Sequence, residues 1–329
     1  MSVWRSAGLA AATAFVAAAT MMSLPMNANA QTKLTIMVFQ GVQNLPLLAA
    51  QEQGLFAKNG LEVDIKIAPT SDELRNGLAE GRYQVVHGAV DNAIAMAEVA
   101  KKDIAVVIGG DTAINHLFVQ PEIKSYADLR GKAVIVDAPN TAYALQLYKM
   151  LELNGLKKGD YEVKVVGATF RRGQAMQQDK SNAASMLNPP FSVQAQLAGL
   201  RDLGSAVKAV GPYQATAGWV MRDWGKANEA VLTSYLKAYL QGLRWVMDPA
   251  NKAASARLLA EKLKLTPEVA EKSVALYADP AEGFAKDAAI DMKGFENVLK
   301  LRADFQGGPA AAPDKYIDLT YYKKALAGL

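Results

Sequence analysis

The chain has no cysteine, two histidines and no long run of like charge. Each shortage removes a class of function. Without a thiol there is no disulfide frame, no thiolate metal site, no cysteine nucleophile and no lipid-modified cysteine anchor. His87 and His116 have no partner at metal-ligand spacing, and the H-E-x-x-H, G-x-S-x-G and G-x-x-x-x-G-K-[ST] patterns are absent. No catalytic residue, metal or cofactor is therefore expected, and the chain does not read as an enzyme. Lysines and arginines are scattered singly or in pairs such as Lys101-Lys102 and Lys157-Lys158, which argues for a solvated surface and against nucleic acid as a partner.

What is present begins with "MSVWRSAGLAAATAFVAAATMMSLPMNANA". It has one cation, Arg5, an Ala-rich apolar run from Gly8 to Met22, and Ala28 and Ala30 in a small-x-small pattern before Gln31. This predicts a secretory signal cleaved after Ala30, and a product free in the periplasm rather than embedded in a membrane. Removing residues 1–30 takes away Arg5 and no acid, leaving 35 basic against 32 acidic side chains, a nearly balanced surface. The remaining length exceeds one small core and predicts two domains.

Along the rest, apolar strands alternate with capped helices. "LTIMVF" predicts a strand, and "LPLLAAQEQGLF" a helix with Pro46 in its first turn. "LEVDIKIA" alternates apolar and charged residues like a strand covered on one face. Thr70 and Glu73 form a T-x-x-E capping box before "DELRNGLAEG". "YQVV", the helix "DNAIAMAEVAKK" and the wholly apolar "IAVVIGG" follow, the last expected as a central parallel strand. A second run comprises "AVIVD", a helix from Thr141 to Asn154, "YEVKVVG", a helix after Arg171, "AASML", another helix and "AVKAVG" as a strand. From Trp224 onward the chain reads as mostly helical, with Tyr239, Trp245 and Met247 as core residues.

Ligands of open, mostly parallel sheets bind beyond the carboxyl ends of the strands. That rule nominates Gln40, Asn44, His87, Asp91, Asn92 and the Gly109–Asp111 loop in the first run. In the second it nominates Asp137, Asn140, Thr141, Tyr143, Phe170, Arg171, Arg172, Asn188, Pro189 and Phe191. Two half-sites imply a cleft between two units. Thr141 as helix cap, with the free amides behind it, suits an anion or a carbonyl, and Tyr143 can stack on it. Arg171 and Arg172 offer a guanidinium to a carboxylate or sulfonate, whereas Asp91, Asp111 and Asp137 leave ligand charge open.

The segment "PLLAAQEQGLFAKNGLEVDIKIA", the capped helix with "LAEGRYQVV", and above all "VQPEIKSYADLRGKAVIV" resemble the periplasmic solute-binding proteins of the nitrate, sulfonate, taurine and thiamine-pyrimidine type. The resemblance implies an α/β type II periplasmic binding fold, with two α/β lobes joined by two crossing strands and extra C-terminal helices. It places lobe 1 at residues 31–119 plus 214–329 and lobe 2 at 120–213. It implies a monomeric receptor delivering a small polar organic molecule, a sulfonate, carboxylate or aminated heterocycle, to an ABC transporter permease. The expected ligand-binding set is Gln40, Asn44, His87, Asp91, Asn92, Thr141, Tyr143, Arg171, Asn188 and Phe191. Two alternatives share the fold: an enzyme like the pyrimidine-precursor synthases, whose reactive histidine is accompanied by cysteines that are missing here, and a receptor subunit serving a sensor kinase.

Overall fold

A computed structural model describes residues 1, 30–112, 115–279 and 282–329. The expected export signal lies outside the described residues apart from its two ends.

The period-two and wholly apolar segments form two five-stranded sheets. The first run gives β1 (Thr32–Val38), β2 (Leu61–Ile67), β3 (Val85–Ala89) and β4 (Ile104–Ile108). Between them lie α1 (Leu45–Glu52), α2 (Leu55–Lys58), α3 (Ser71–Ala79) and α4 (Asp91–Glu98). The second run gives β5 (His116–Val119), β6 (Ala133–Val136), α5 (Ala142–Leu153), β7 (Glu162–Val165), α6 (Thr169–Gln178), β8 (Asn182–Leu187), α7 (Phe191–Leu197), β9 (Arg201–Ser205) and α8 (Ala206–Val210). The chain then returns through β10 (Thr216–Met221) to α9 (Arg222–Ala227), α10 (Glu229–Met247), α11 (Lys252–Leu263), α12 (Pro267–Tyr277), α13 (Met292–Gln306) and α14 (Thr320–Ala327).

The first sheet has the order β2-β1-β3-β10-β4 and the second β7-β6-β8-β5-β9. In each, three parallel strands are joined by one antiparallel strand arriving from the other half, β10 in the first and β5 in the second. Because β5 pairs with β8 and β9, the chain has left the first sheet before His116, so the boundary expected after residue 119 moves ahead of β5. The apolar β4 is an edge strand antiparallel to β10, not a central parallel one. It is nevertheless buried because Tyr316–Asp318 covers its open side, with the Val106 amide donating to the Tyr316 carbonyl and the Asp318 amide to the Val106 carbonyl. "AVKAVG" forms α8, and the strand is the preceding Arg201–Ser205; a short apolar run does not by itself separate the two.

The late helices complete the first lobe. On α10, Leu232, Tyr235, Leu236, Tyr239, Leu240 and Leu243 make one buried helical stripe that shares a core with β1, β2 and α1. Each such side chain stabilises the fold by about 1.5–3 kcal/mol through apolar burial. Gly242 permits the close crossing of α10 over α1, since a Cβ there would stand 2.2 Å from the Pro46 carbonyl oxygen. Tyr239 is buried, while Trp245 and Met247 pack against the edge of the same core.

His116 marks the first crossing. Its Nδ1 lies 2.7 Å from Asp202 Oδ2 and its Nε2 3.7 Å from Glu282 Oε2. Burial alone would lower its pKa, but the bond to Asp202 and the field of both carboxylates outweigh it and raise the pKa. A raised folded pKa contributes stability that is complete below the ordinary histidine value of about 6.5 and is lost as pH rises through the folded value. Between pH 5.5 and 8.5 the stability of the parent relative to His116→Gln is therefore expected to fall by up to about 1 kcal/mol in urea unfolding, groups common to both proteins cancelling in the difference. Parallel curves for the two proteins would remove His116 as the source.

Candidate functional site

The carboxyl ends of the parallel strands of both sheets face a shared cavity of about 50 Å³. The first lobe supplies Phe39, Gln40 and Gln43 after β1, Ser71 after β2, Gly88, Ala89 and Asn92 at and after the end of β3, and Thr216 at the start of β10. The second lobe supplies Asp137 and Thr141–Tyr143 after β6, Ala168, Thr169 and Arg172 after β7, and Asn188 after β8. The lobes meet here: Asn188 Nδ2 stands 3.5 Å from Gln43 Oε1, and Arg302 on α13 donates to the Asn140 carbonyl at 2.7 Å. A larger cavity, about 860 Å³ beside Tyr148, Tyr161 and Phe305, runs along α5 and α13.

Four helices point their first turns at the small cavity, through Ser71 of α3, Asn92 of α4, Ala142 and Tyr143 of α5 and Thr169 of α6. In α4, α5 and α6 no side chain caps the first turn. Thr141 holds the N-cap position of α5 in an extended conformation, but its hydroxyl donates instead to the Asp137 carboxylate and the Ala138 carbonyl. The first-turn amides and the positive end of the helix dipole are thus left facing the cavity.

Arg172 is the buried cation of the wall. Its Nε donates to Ser185 Oγ at 3.0 Å, Nη1 to the Gly167 carbonyl at 2.6 Å, and Nη2 to Thr169 Oγ1 and the Met186 carbonyl, each at 3.1 Å. Asp137 Oδ1 is 3.9 Å from Nη1, and the guanidinium lies over the Tyr143 ring, 5.7 Å from its centroid. Burial lowers the Arg172 pKa, partly countered by Asp137, and burial raises that of Tyr143. The arrangement holds a charge-balanced wall in place; it contains no nucleophile set beside a base.

Of the ten residues in the expected ligand-binding set, Gln40, Asn92, Thr141, Tyr143 and Asn188 line this cavity, as do Asp137 and Arg172 from the wider set of nominated loops. Phe191 lines a neighbouring chamber that shares Gln40. The other four are placed elsewhere. Asn44 folds its amide back onto the Phe39 carbonyl. His87 lies behind the wall, 2.8 Å from the Tyr235 hydroxyl and stacked on Tyr239. The Asp91 carboxylate is taken up by a two-pronged pair with Arg302. Arg171 is exposed, stacked on Phe170, because one step along a helix turns a side chain by about 100° and only Arg172 faces inward.

A family model described as "NMT1/THI5 like" matches residues 42–253. The chain belongs to the NMT1/THI5-like family. No curated protein matches it. Among solved structures, the ligand-binding component of an ABC-type import system from Staphylococcus aureus, solved with zinc bound, is 13% identical with a TM-score of 0.76, covering 90% of this chain and 99% of that one. The periplasmic nitrate-binding protein NrtA from Synechocystis PCC 6803 is 13% identical with a TM-score of 0.75, covering 91% and 89%. The periplasmic aliphatic sulphonate-binding protein SsuA from Escherichia coli is 16% identical with a TM-score of 0.71, covering 88% and 99%. These likenesses establish the periplasmic-binding-protein fold with two α/β lobes.

Gln43, Ser71, Thr169 and Thr216 also wall the cavity and were not nominated from the sequence. Ser71 and Thr169 carried a usable signal, since each opens a helix directly behind a strand. Thr216 carried none, because β10 enters the first sheet from a distant part of the chain.

Proposed function

We propose that this protein is an extracytoplasmic solute receptor: it closes its two lobes on a small polar organic molecule with an anionic head and delivers it to an ABC permease, acting as a monomer in the periplasm. One observation carries this reading. Helices from both lobes, α4 from one and α5 and α6 from the other, open into the cavity that the lobes share, and in α5 and α6 neither a side-chain cap nor a first-turn acid occupies the positive end. Such termini stabilise negative charge without a full counter-charge. Asp137 and Arg172 stand opposite each other, so neither cancels that preference. Contacts available only when both walls are present favour the closed state, which is how a ligand shifts a two-lobe equilibrium. The relatives named for nitrate and sulphonate binding fit this head-group chemistry.

A catalytic role finds no support in the wall. Neither histidine lines it, and the chain has no cysteine.

Native mass spectrometry of the gently purified protein identifies a co-purified molecule, and titration then measures its affinity. Asn188→Ala and Tyr143→Ala are each expected to weaken binding at least about tenfold, the size of one lost hydrogen bond or ring contact, while both remain folded. Unchanged affinity in both variants rejects the site, and turnover of the molecule rejects the receptor reading.

A further inference from the structure

The central cavity is too small for the whole of an organic ligand. About 50 Å³ holds on the order of four waters, which suits a compact carboxylate or sulfonate head. The adjoining chamber of about 230 Å³ supplies the missing space, and Gln40 is a wall of both. It too is built from both lobes. Phe170, Gln174 and Gln177 form one stripe of α6, spaced at i, i+4 and i+7, and Phe191 and Gln194 form a stripe at the start of α7. The first lobe closes the far side with Leu263–Leu265, the turn between α11 and α12.

The chemistry of the chamber differs from that of the head cavity. Its polar groups are the uncharged amides of four glutamines, Gln40, Gln174, Gln177 and Gln194, with no carboxylate among its lining residues and one cation, Lys264. Phe170 and Phe191 stand side by side with ring centroids 6.5 Å apart. The stripe of α6 has no part in the core, which takes Arg172, Gly173 and Met176 from that helix. Amides that both donate and accept, set among rings, suit a planar uncharged group carrying its own amide or aromatic ring better than an alkyl chain.

We propose that the ligand is bipartite, with its anionic head in the central cavity and an amide- or aryl-bearing tail in the chamber lined by glutamine and phenylalanine, Gln40 marking the joint. This rests on the receptor reading above. The test is calorimetric titration of the ligand-free protein with acetate, N-acetylglycine and N-benzoylglycine, three carboxylates with a growing tail. Affinity is expected to rise along the series, at least thirtyfold in total. Gln174→Trp, which fills the chamber from α6, and Gln194→Trp, which fills it from α7, are expected to erase that gain and leave acetate unchanged, with thermal unfolding confirming that each variant is folded. Equal affinity for all three carboxylates in the parent, or a gain that survives both tryptophans, overturns the tail assignment and leaves the head site standing. Absence of binding by all three overturns the anionic-head reading and the tail with it.

Discussion

Replacing Arg302 with methionine is expected to lower the unfolding free energy by about 3–5 kcal/mol, the cost of leaving one partner of a buried ion pair alone. Arg302 and Asp91 are each only 2% exposed, and Nε and Nη2 of the guanidinium grip the two carboxylate oxygens in a fork. Burial would lower the Arg302 pKa, but the bonds to Asp91 outweigh it and raise it. Asp91 opens α4, so its charge also favours the positive end of that helix. With Arg302 gone, the carboxylate is left buried without the cation that now holds both of its oxygens. The double variant Asp91→Asn with Arg302→Met removes both charges and is expected to recover part of the loss, giving a coupling well above about 1 kcal/mol in a double-mutant cycle. Urea midpoints of the four proteins provide the measurement. Losses that simply add would mean that the pair contributes nothing as a pair. The same arginine reaches the Asn140 carbonyl in the opposite lobe, so the variant is also expected to weaken closure and hence ligand affinity.

The fate of Asp91 shows where sequence reading stops. An acid at the carboxyl end of a strand looks like a ligand contact, but its partner comes from a helix over 200 residues later, and nothing in the local pattern announces it. Gln40, Asn92, Thr141, Tyr143 and Asn188 could be placed at the cavity wall because one geometric rule, strand ends facing a cleft, needs only local periodicity. Most strands and their order of appearance were legible for the same reason, although β9 was expected one segment too late. The antiparallel β10 was not, since its neighbours β3 and β4 are fixed by tertiary pairing. The box expected at Thr70 was half right. Thr70 accepts from the Glu73 amide, but the Glu73 carboxylate is drawn to Arg82 and Tyr83 instead of returning to the cap.

The segment that most resembled a family also has a structural job. Ser125 and Asp128 make a reciprocal capping box, with Asp128 accepting from the amides of Lys124 and Ser125, and Gly131 follows at φ 71°, where a side chain would be strained. Those residues fix the turn into β6 and never approach the cavity. A motif that marks the fold strongly can therefore be silent about the ligand. The cavity walls are set instead by side chains such as Asp137, Arg172 and Gln174, whose orientations follow from packing.

Acid is expected to destabilise this protein by several kcal/mol through His87 alone. Its ring is buried between Tyr235, whose hydroxyl is 2.8 Å from Nε2, and Tyr239, stacked at 5.1 Å. Gly218 lies against it, and a Cβ there would come within 2.7 Å of the imidazole, so that side of the ring is closed by the backbone of β10. Burial pushes the His87 pKa down to about 3. The sign follows from linkage. In the unfolded chain the imidazole takes up a proton below about pH 6.5, whereas the folded protein refuses it until about pH 3, so the His87 contribution is complete above pH 6.5 and is lost as pH falls through that interval. His87→Gln keeps a polar partner for Tyr235 but cannot titrate. It is expected to be less stable than the parent at pH 7.5 by about 1–2 kcal/mol, from imperfect packing and hydrogen bonding, and to lose several kcal/mol less on acidification. Carboxylates common to both proteins cancel in the difference between the two stability curves, which isolates the imidazole. Curves that stay parallel from pH 7.5 to pH 4 would mean that His87 is protonated, or hydrated, in the folded state.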